Sequence, residues 1–336
     1  MTSHALLLKA SHPLQPPPII IMKHRILPLL LMIAATAVLK AQNPIFADSS
    51  THTFAIRGND TLRLDYYRPI NPRDDHAMVV YLYGGAFING SRNSASTRGD
   101  FAGYLQQGFS VAAVDYRKFL GTVDFDKYSK IQMLDLLDTA IAQAVEDLSE
   151  AIAYLVSHAE PLGIDTSKMI LTGVSAGGIT VLSLDQARVN GYARAQTLPQ
   201  GFRPAAIVSY SGAIFSRRGA IRYDHAPAPT AFFYGDNDKV VPYSCIRIFN
   251  IYYGGSECLL PLFEARNFYY WSFCFSHHGH EVCAYTPYTL QEFNAFIDAV
   301  FDGRKLHYAT TCTDDRFKLS AISKFTLTEL IDADGT

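Results

Sequence analysis

Cysteine is absent before Pro242, and all five cysteines (Cys245, Cys258, Cys274, Cys283, Cys312) follow it. None stands with histidine at the spacing of a zinc site, so neither a metal nor any other cofactor is expected. A basic excess is also missing. The 29 Lys and Arg against 31 Asp and Glu give a formal net charge of −2, which offers nothing to a nucleic-acid partner. No internal repeat and no interdomain linker interrupts the chain. With 49% apolar residues global disorder is excluded, and 336 residues leave room for one large α/β domain or two small ones.

Acidic side chains are absent from the first 41 residues, which are expected to lie outside the fold. Met22-Lys23-His24-Arg25 is a short basic start, Ile26 to Val38 is an apolar run, and Ala41-Gln42 offers a small-residue cleavage point. That is the pattern of a secretory signal peptide, with Met22 as initiator and residues 1–21 as an upstream extension. The run is too short for a comfortable membrane span, so no stable anchor is expected after cleavage. Lys9, Lys23, Arg25 and Lys40 would leave with it, and the remaining 25 basic and 31 acidic residues carry a net charge of −6. No cysteine follows the cleavage point, which argues against a lipid anchor. Export would permit disulfides, and an odd count leaves at least one thiol over. A Cys274–Cys283 bridge bracing the loop around His280 and two buried thiols are equally open.

Beyond the leader, Thr51–Arg57 and Leu62–Tyr67 alternate around Gly58-Asn59-Asp60 and predict an antiparallel hairpin. The texture then changes to short continuous apolar runs at Ala77–Tyr83, Ser110–Val114, Met169–Thr172, Ala205–Tyr210, Thr230–Tyr234 and Phe268–Phe275. Such runs suit strands covered on both faces. Helical patterns separate them, near 98–107, 134–158, from 176, 243–252 and 287–301. This alternation predicts one doubly wound α/β domain over residues 42–303, with 304–336 showing no pattern. Lys118–Gln132 and Ala213–Pro229 are insertions at strand C-terminal ends, equally suited to pocket walls or surface loops.

One stretch organises the chemistry. Met169-Ile-Leu-Thr-Gly-Val-Ser-Ala-Gly-Gly-Ile179 is an apolar strand running through Gly173-Val174-Ser175-Ala176-Gly177 into a helix. A serine between two glycines at a strand-to-helix turn is a nucleophile elbow, where a Cβ at Gly173 or Gly177 would collide with neighbouring backbone. Further on, Gly235-Asp-Asn-Asp-Lys-Val-Val-Pro242 follows one strand and Ser276-His-His-Gly-His280 follows another. The order Ser, acid, His places Ser175, Asp238 and His280 as nucleophile, orienting acid and general base. Asp236 competes with Asp238, and His277 and His278 compete with His280; otherwise Asp236 is read as a turn former and the two histidines as solvent or pocket-rim groups. The Gly-His pair and the position before the last helix favour His280. The aromatic density from Tyr243 to Trp271 is read as core and surface ahead of a pocket.

These segments, taken together, resemble a known family. Tyr81-Leu-Tyr-Gly-Gly-Ala-Phe87 is similar to the H-G-G-G-F loop of α/β-hydrolase esterases, and Val114-Asp-Tyr-Arg117, Glu146-Asp147 and Gly163-Ile-Asp-Thr-Ser-Lys168 match as well. With the elbow they resemble the carboxylesterase and feruloyl-esterase-like group, near the hormone-sensitive-lipase type, over roughly residues 50–303. The resemblance implies an α/β-hydrolase fold: a mostly parallel eight-stranded sheet, an antiparallel N-terminal hairpin and helices on both faces. It selects Asp238 through the G-x-x-D pattern before Val-Pro. It implies an oxyanion hole built from the backbone N–H groups of Gly85, Ala86 and Ala176. Two departures stand out: Tyr83 replaces the usual histidine, so the loop must be anchored differently, and Ala86 replaces the third glycine, which suits a backbone at negative φ. The expected function is a secreted or periplasmic serine hydrolase cleaving small-molecule or glycan-linked carboxylic esters. A prolyl-oligopeptidase-type peptidase and a binding protein on a hydrolase scaffold are the alternatives.

Overall fold

In a computed structural model, residues 45–305 and 307–313 are described; the expected leader and residues 314–336 lie outside them. Nine strands form the main sheet among these residues, in the order β1-β2-β4-β3-β5-β6-β8-β11-β12. β1 (Asp48–Arg57) and β2 (Asp60–Arg68) form the predicted hairpin, and β2 joins β4 (Ser110–Val114) antiparallel. Every later pairing is parallel, through β3 (Met78–Leu82), β5 (Met169–Val174), β6 (Ala206–Tyr210), β8 (Thr230–Gly235) and β11 (Tyr270–Phe275). All residues of β3, β4, β5, β6 and β8 are buried, which is why these segments read as continuous apolar runs.

The sheet has nine strands rather than the expected eight, because it continues past residue 303. β12 (His307–Cys312) pairs parallel to β11 at the edge. Its outward residues are exposed, so no apolar pattern announced it. A second departure lies at residues 243–252, where a helix was expected. There β9 (Cys245–Ile248) and β10 (Ile251–Gly254) form a hairpin, and β7 (Ile214–Ser216) completes a three-stranded sheet in the order β7-β10-β9. The Ala213–Pro229 insertion therefore supplies a strand.

Of the five longer helices, α2 (Lys130–Ser157) starts with a reciprocal cap. The Ser129 side chain accepts from the Gln132 amide, and the Gln132 side chain accepts from the Ser129 amide. α2 and α3 (Ala176–Val189) share one face of the sheet. On the opposite face α1 (Ala95–Gln106) and α5 (Leu290–Phe301) meet through Tyr104 and Phe293, whose ring centroids are 4.4 Å apart. α4 (Ser256–Ala265) follows the small sheet, and Cys258 in its first turn is bridged to Cys245. Cys274, Cys283 and Cys312 are free thiols, so the Cys274–Cys283 bridge does not form.

The chain turns from β3 to β4 on one side and returns to place β5 on the other side of β3. Adjacent strands thus send their following loops in opposite directions, leaving a crevice at their C-terminal ends. The Tyr83–Gly90 loop and the elbow at Ser175 both open into it.

Candidate active site

Gly173 is the penultimate residue of β5 and Gly177 the second of α3, and neither could carry a side chain. A Cβ on Gly173 would lie 2.3 Å from the Gly177 carbonyl carbon, and one on Gly177 would lie 2.2 Å from the Leu82 carbonyl oxygen. Between them Ser175 sits at φ 52°, ψ −120°, a sparsely populated conformation for a residue with a side chain. Such a residue costs about 1–3 kcal/mol and persists only where its surroundings fix it. Here the Ser175 amide donates to the Tyr210 carbonyl of β6 at 2.9 Å, and the Ser175 carbonyl accepts from Ile179 at 2.9 Å.

The loops after β8 and β11 bring Asp238 and His280 to that serine. His280 Nε2 lies 2.8 Å from Ser175 Oγ, and His280 Nδ1 lies 2.8 Å from Asp238 Oδ2. An ionised carboxylate can only accept, so Nδ1 carries the proton and Nε2 presents its lone pair to the serine hydroxyl. The second Asp238 oxygen accepts from the amides of Val240 and Val241 at 2.9 and 3.0 Å, which fixes the carboxylate without competing for the histidine. All three side chains are buried.

The rejected candidates have other duties. Asp236 accepts from the His277 amide at 2.6 Å and from the Ser276 hydroxyl at 3.2 Å, bracing one loop against the other. His277 is exposed, as a rim residue should be. His278 is not: it is fully buried, with Nδ1 2.7 Å from the Tyr285 hydroxyl, and it packs near the Phe275 ring. It is a core residue rather than a solvent or rim group.

The loop carrying Gly85 and Ala86 shows how Tyr83 replaces the family's histidine. The Tyr116 hydroxyl donates to the Tyr83 carbonyl at 3.0 Å, and the two rings stack at 4.6 Å. Tyr116 belongs to the Asp-Tyr-Arg segment quoted above, and its neighbour Arg117 is held by another. The Arg117 backbone amide and Nε donate to the fully buried Asp147 at 2.8 and 2.9 Å, and its Nη2 reaches Glu146 at 3.0 Å. Burial pushes the Asp147 carboxyl up, against the opposing hydrogen bonds from Arg117. Ala86 departs from expectation: its φ is 54°, not negative, and Phe87 follows at 59°. Non-glycine residues rarely adopt that region, so the turn is strained at two successive positions.

A cavity of about 100 Å³ opens beside the serine. Ala86, Phe87 and Ile88 from the loop, Leu120 and Phe125 from the Lys118–Gln132 insertion, and Val240, Val241 and Tyr253 form much of its wall with Ser175 and Ala176. That insertion is thus a pocket wall. The aromatic density after Tyr243 is mostly core, as expected: Phe263 packs on Phe232, Phe268, Tyr270 and Tyr223. Phe249 lies at the surface, and Tyr253 lines the cavity.

With this geometry in view, comparison with known proteins is informative. The family model described as BD-FAE matches residues 64–214, a stretch that includes the Gly84–Gly85 loop and the elbow and stops before Asp238 and His280. The fold recurs in esterase 2 of Thermogutta terrifontis phosphoramylated by tabun, at a TM-score of 0.55 and 20% identity, covering 79% of this chain and 99% of that one. A truncated carbohydrate esterase from gut microbiota matches at a TM-score of 0.55 and 17% identity, covering 77% and 98%. The chain has the α/β-hydrolase fold.

Among curated relatives of this α/β-hydrolase, an ethyl acetate hydrolase of Pseudomonas putida is 32% identical over 128 residues, covering 36% of this chain and 33% of that protein. A probable isoprenylcysteine alpha-carbonyl methylesterase of Oryza sativa subsp. japonica is 30% identical over 116 residues, covering 34% and 23%. The matched stretches thus span a third or less of those relatives' lengths. Three features of the α/β-hydrolase site were not foreseen from sequence: the Tyr116 anchor, the paired amides on Asp238, and Tyr253 in the cavity wall. The first had a signal, since Tyr116 lies in a quoted motif. The other two arise from backbone turns and a hairpin that left none.

Proposed function

We propose that this α/β-hydrolase is a carboxylic ester hydrolase working through an acyl-enzyme. The observation that carries the reading is His280, 2.8 Å from the Ser175 hydroxyl on one side and 2.8 Å from Asp238 on the other. Ser175 Oγ attacks the ester carbonyl carbon as its proton passes to Nε2, and Asp238 stabilises the imidazolium that forms. The carbonyl π electrons move onto oxygen, where the backbone N–H groups of Gly85, Ala86 and Ala176 receive the developing charge. Losing one such donor typically costs ~10²–10³ in rate. Collapse breaks the bond to the alcohol oxygen, which takes the proton from Nε2 and leaves an acyl-serine. Water then repeats the sequence, releases the acid and restores Ser175.

The cavity suggests which half of the ester goes where. Ser175, Ala86 and Ala176 line it but His280 does not, and the leaving alcohol must sit beside His280 to be protonated. The cavity therefore suits the acyl half. A dry cavity of ~150 Å³ accepts benzene, so the present volume suits an acyl chain of roughly three to five carbons. The relative named an ethyl acetate hydrolase agrees with a short acyl group. Export is part of the proposal: the Cys245–Cys258 disulfide fits an oxidising compartment, and N-terminal sequencing of the exported protein should begin at or near Gln42.

A fluorophosphonate probe tests the reading. The adduct should map to Ser175 and disappear in Ser175→Ala and His280→Ala. A folded wild-type protein that stays unlabelled and turns over no ester would refute it, and turnover confined to aminoacyl amides would replace it with a peptidase.

A further inference from the structure

Tyr253 is 5% exposed and lines the cavity beside Ser175, where the other side chains named in the wall are hydrocarbon apart from the serine itself. β10 fixes its direction: Tyr253 pairs with Phe215 on one side and Ile246 on the other, and its ring meets the Phe215 ring edge-on at 5.7 Å. Burial and the Asp238 carboxylate both hold the phenol proton in place, so the hydroxyl stays a donor. An acyl group that fills the cavity would cover that hydroxyl, and a covered donor left without an acceptor is costly.

Building on the ester-hydrolase reading, we infer that Tyr253 determines specificity by donating a hydrogen bond to an uncharged acceptor oxygen carried on a short acyl chain, beyond the ester carbonyl. The apolar wall limits the acceptor to an uncharged oxygen, of which an ether is the simplest case. Among the described residues no lysine or arginine lines the cavity, so a carboxylate on the acyl group would enter an apolar wall unpaired. An all-carbon acyl chain fills the same space but leaves the Tyr253 hydroxyl unsatisfied. A site with a waiting donor discriminates against an analogue that lacks the acceptor.

The test uses three isosteric 4-nitrophenyl esters: pentanoate, ethoxyacetate and 3-methoxypropanoate. Intrinsic reactivity cancels when each ether-to-pentanoate ratio of kcat/KM is compared between the wild type and Tyr253→Phe. At least one ratio should fall by roughly tenfold in the variant, the scale of one neutral hydrogen bond. Removing one hydroxyl should leave the fold intact, and an unchanged circular dichroism spectrum and urea midpoint would verify this. Ratios equal within twofold in both proteins would overturn the inference. So would a uniform loss on all three esters, which would place the hydroxyl's effect on Asp238 instead of on substrate. A wild type that labels normally and turns over esters keeps the ester reading in either case. One that neither labels nor turns over any ester removes both.

Discussion

The two sheets of this molecule are held together in different ways. The large sheet buries five consecutive strands on both faces and presents Ser175, Asp238 and His280 from the ends of β5, β8 and β11. The small sheet is open along its β9 edge. β9 is mostly exposed, Ile246 and Ile248 are 41% and 50% accessible, Phe249 at its turn is 97% accessible, and a disulfide ties its first residue to α4. β7 turns inward through Ile214 and Phe215, and β10 delivers Tyr253 to the cavity. The chemistry thus rests on the part stabilised by apolar burial, while a wall of the pocket rests on a stapled hairpin. Substrate preference can change on the hairpin without disturbing the proton path.

The largest effects should come from the large sheet. Ser175→Ala and His280→Ala should each lower kcat by about 10⁶-fold with a small change in KM, since residues acting as a unit fail together. Stopped assays on the purified variants would measure it. Gly177→Ala comes next: its Cβ would lie 2.2 Å from the Leu82 carbonyl oxygen, and backbone cannot yield as a side chain can. A loss of about 3 kcal/mol or more in urea unfolding is expected, with Ser175 labelling abolished even in the folded fraction. Wild-type labelling in Gly177→Ala would show that the elbow tolerates more than its packing implies.

The same contrast explains what could be seen in advance. The elbow was legible because collision dictates residue type at fixed spacing, and the buried strands were legible because both faces need apolar side chains. The catalytic order followed from loops at strand ends. The small sheet was hidden because its turn uses Phe249 at φ 51°, not the Asn-Gly or Gly that signals a hairpin, so residues 243–252 resembled a helix. Its disulfide was hidden for the same reason. Cys245 faces Gly254 across the hairpin, and a Cβ on Gly254 would lie 2.6 Å from Cys258 Sγ, a proximity that exists only once the hairpin is formed. Ala86 at φ 54° shows a local rule overridden by the loop's tertiary setting.

Replacing both Cys245 and Cys258 by alanine sharpens the comparison from the other side. With a sequence separation of 13, the bridge should contribute about 2–3 kcal/mol by restricting the unfolded chain. The variant should unfold at lower urea yet label at Ser175 as fast as the wild type below its transition. Its acyl-chain discrimination should narrow, because Tyr253 is carried by the same hairpin. Slower labelling in the folded variant would mean that the two sheets are coupled more tightly than their construction suggests.

The smallest predicted effect lies against the large sheet, at a carboxyl whose protonation should make stability respond to mild acid. Asp100 of α1 accepts from the Tyr81 hydroxyl of β3 at 2.9 Å, and burial pushes its carboxyl up to about 6 despite that bond. An unfolded aspartate titrates near ~3.9, so between about pH 4 and 6 the folded chain binds more protons than the unfolded one. The stability tied to Asp100 is therefore fully present below about pH 4 and lost as pH rises through about 6, a change on the order of 1–2 kcal/mol after allowing for partial solvent screening. Asp100→Asn keeps an acceptor for Tyr81 and has no charge to desolvate. Urea midpoints should match the wild type near pH 4 and exceed it at pH 7. Equal midpoints at both pH values would mean that water reaches Asp100 freely, and that this face of the sheet is more open than its buried neighbours Tyr81 and Phe101 require.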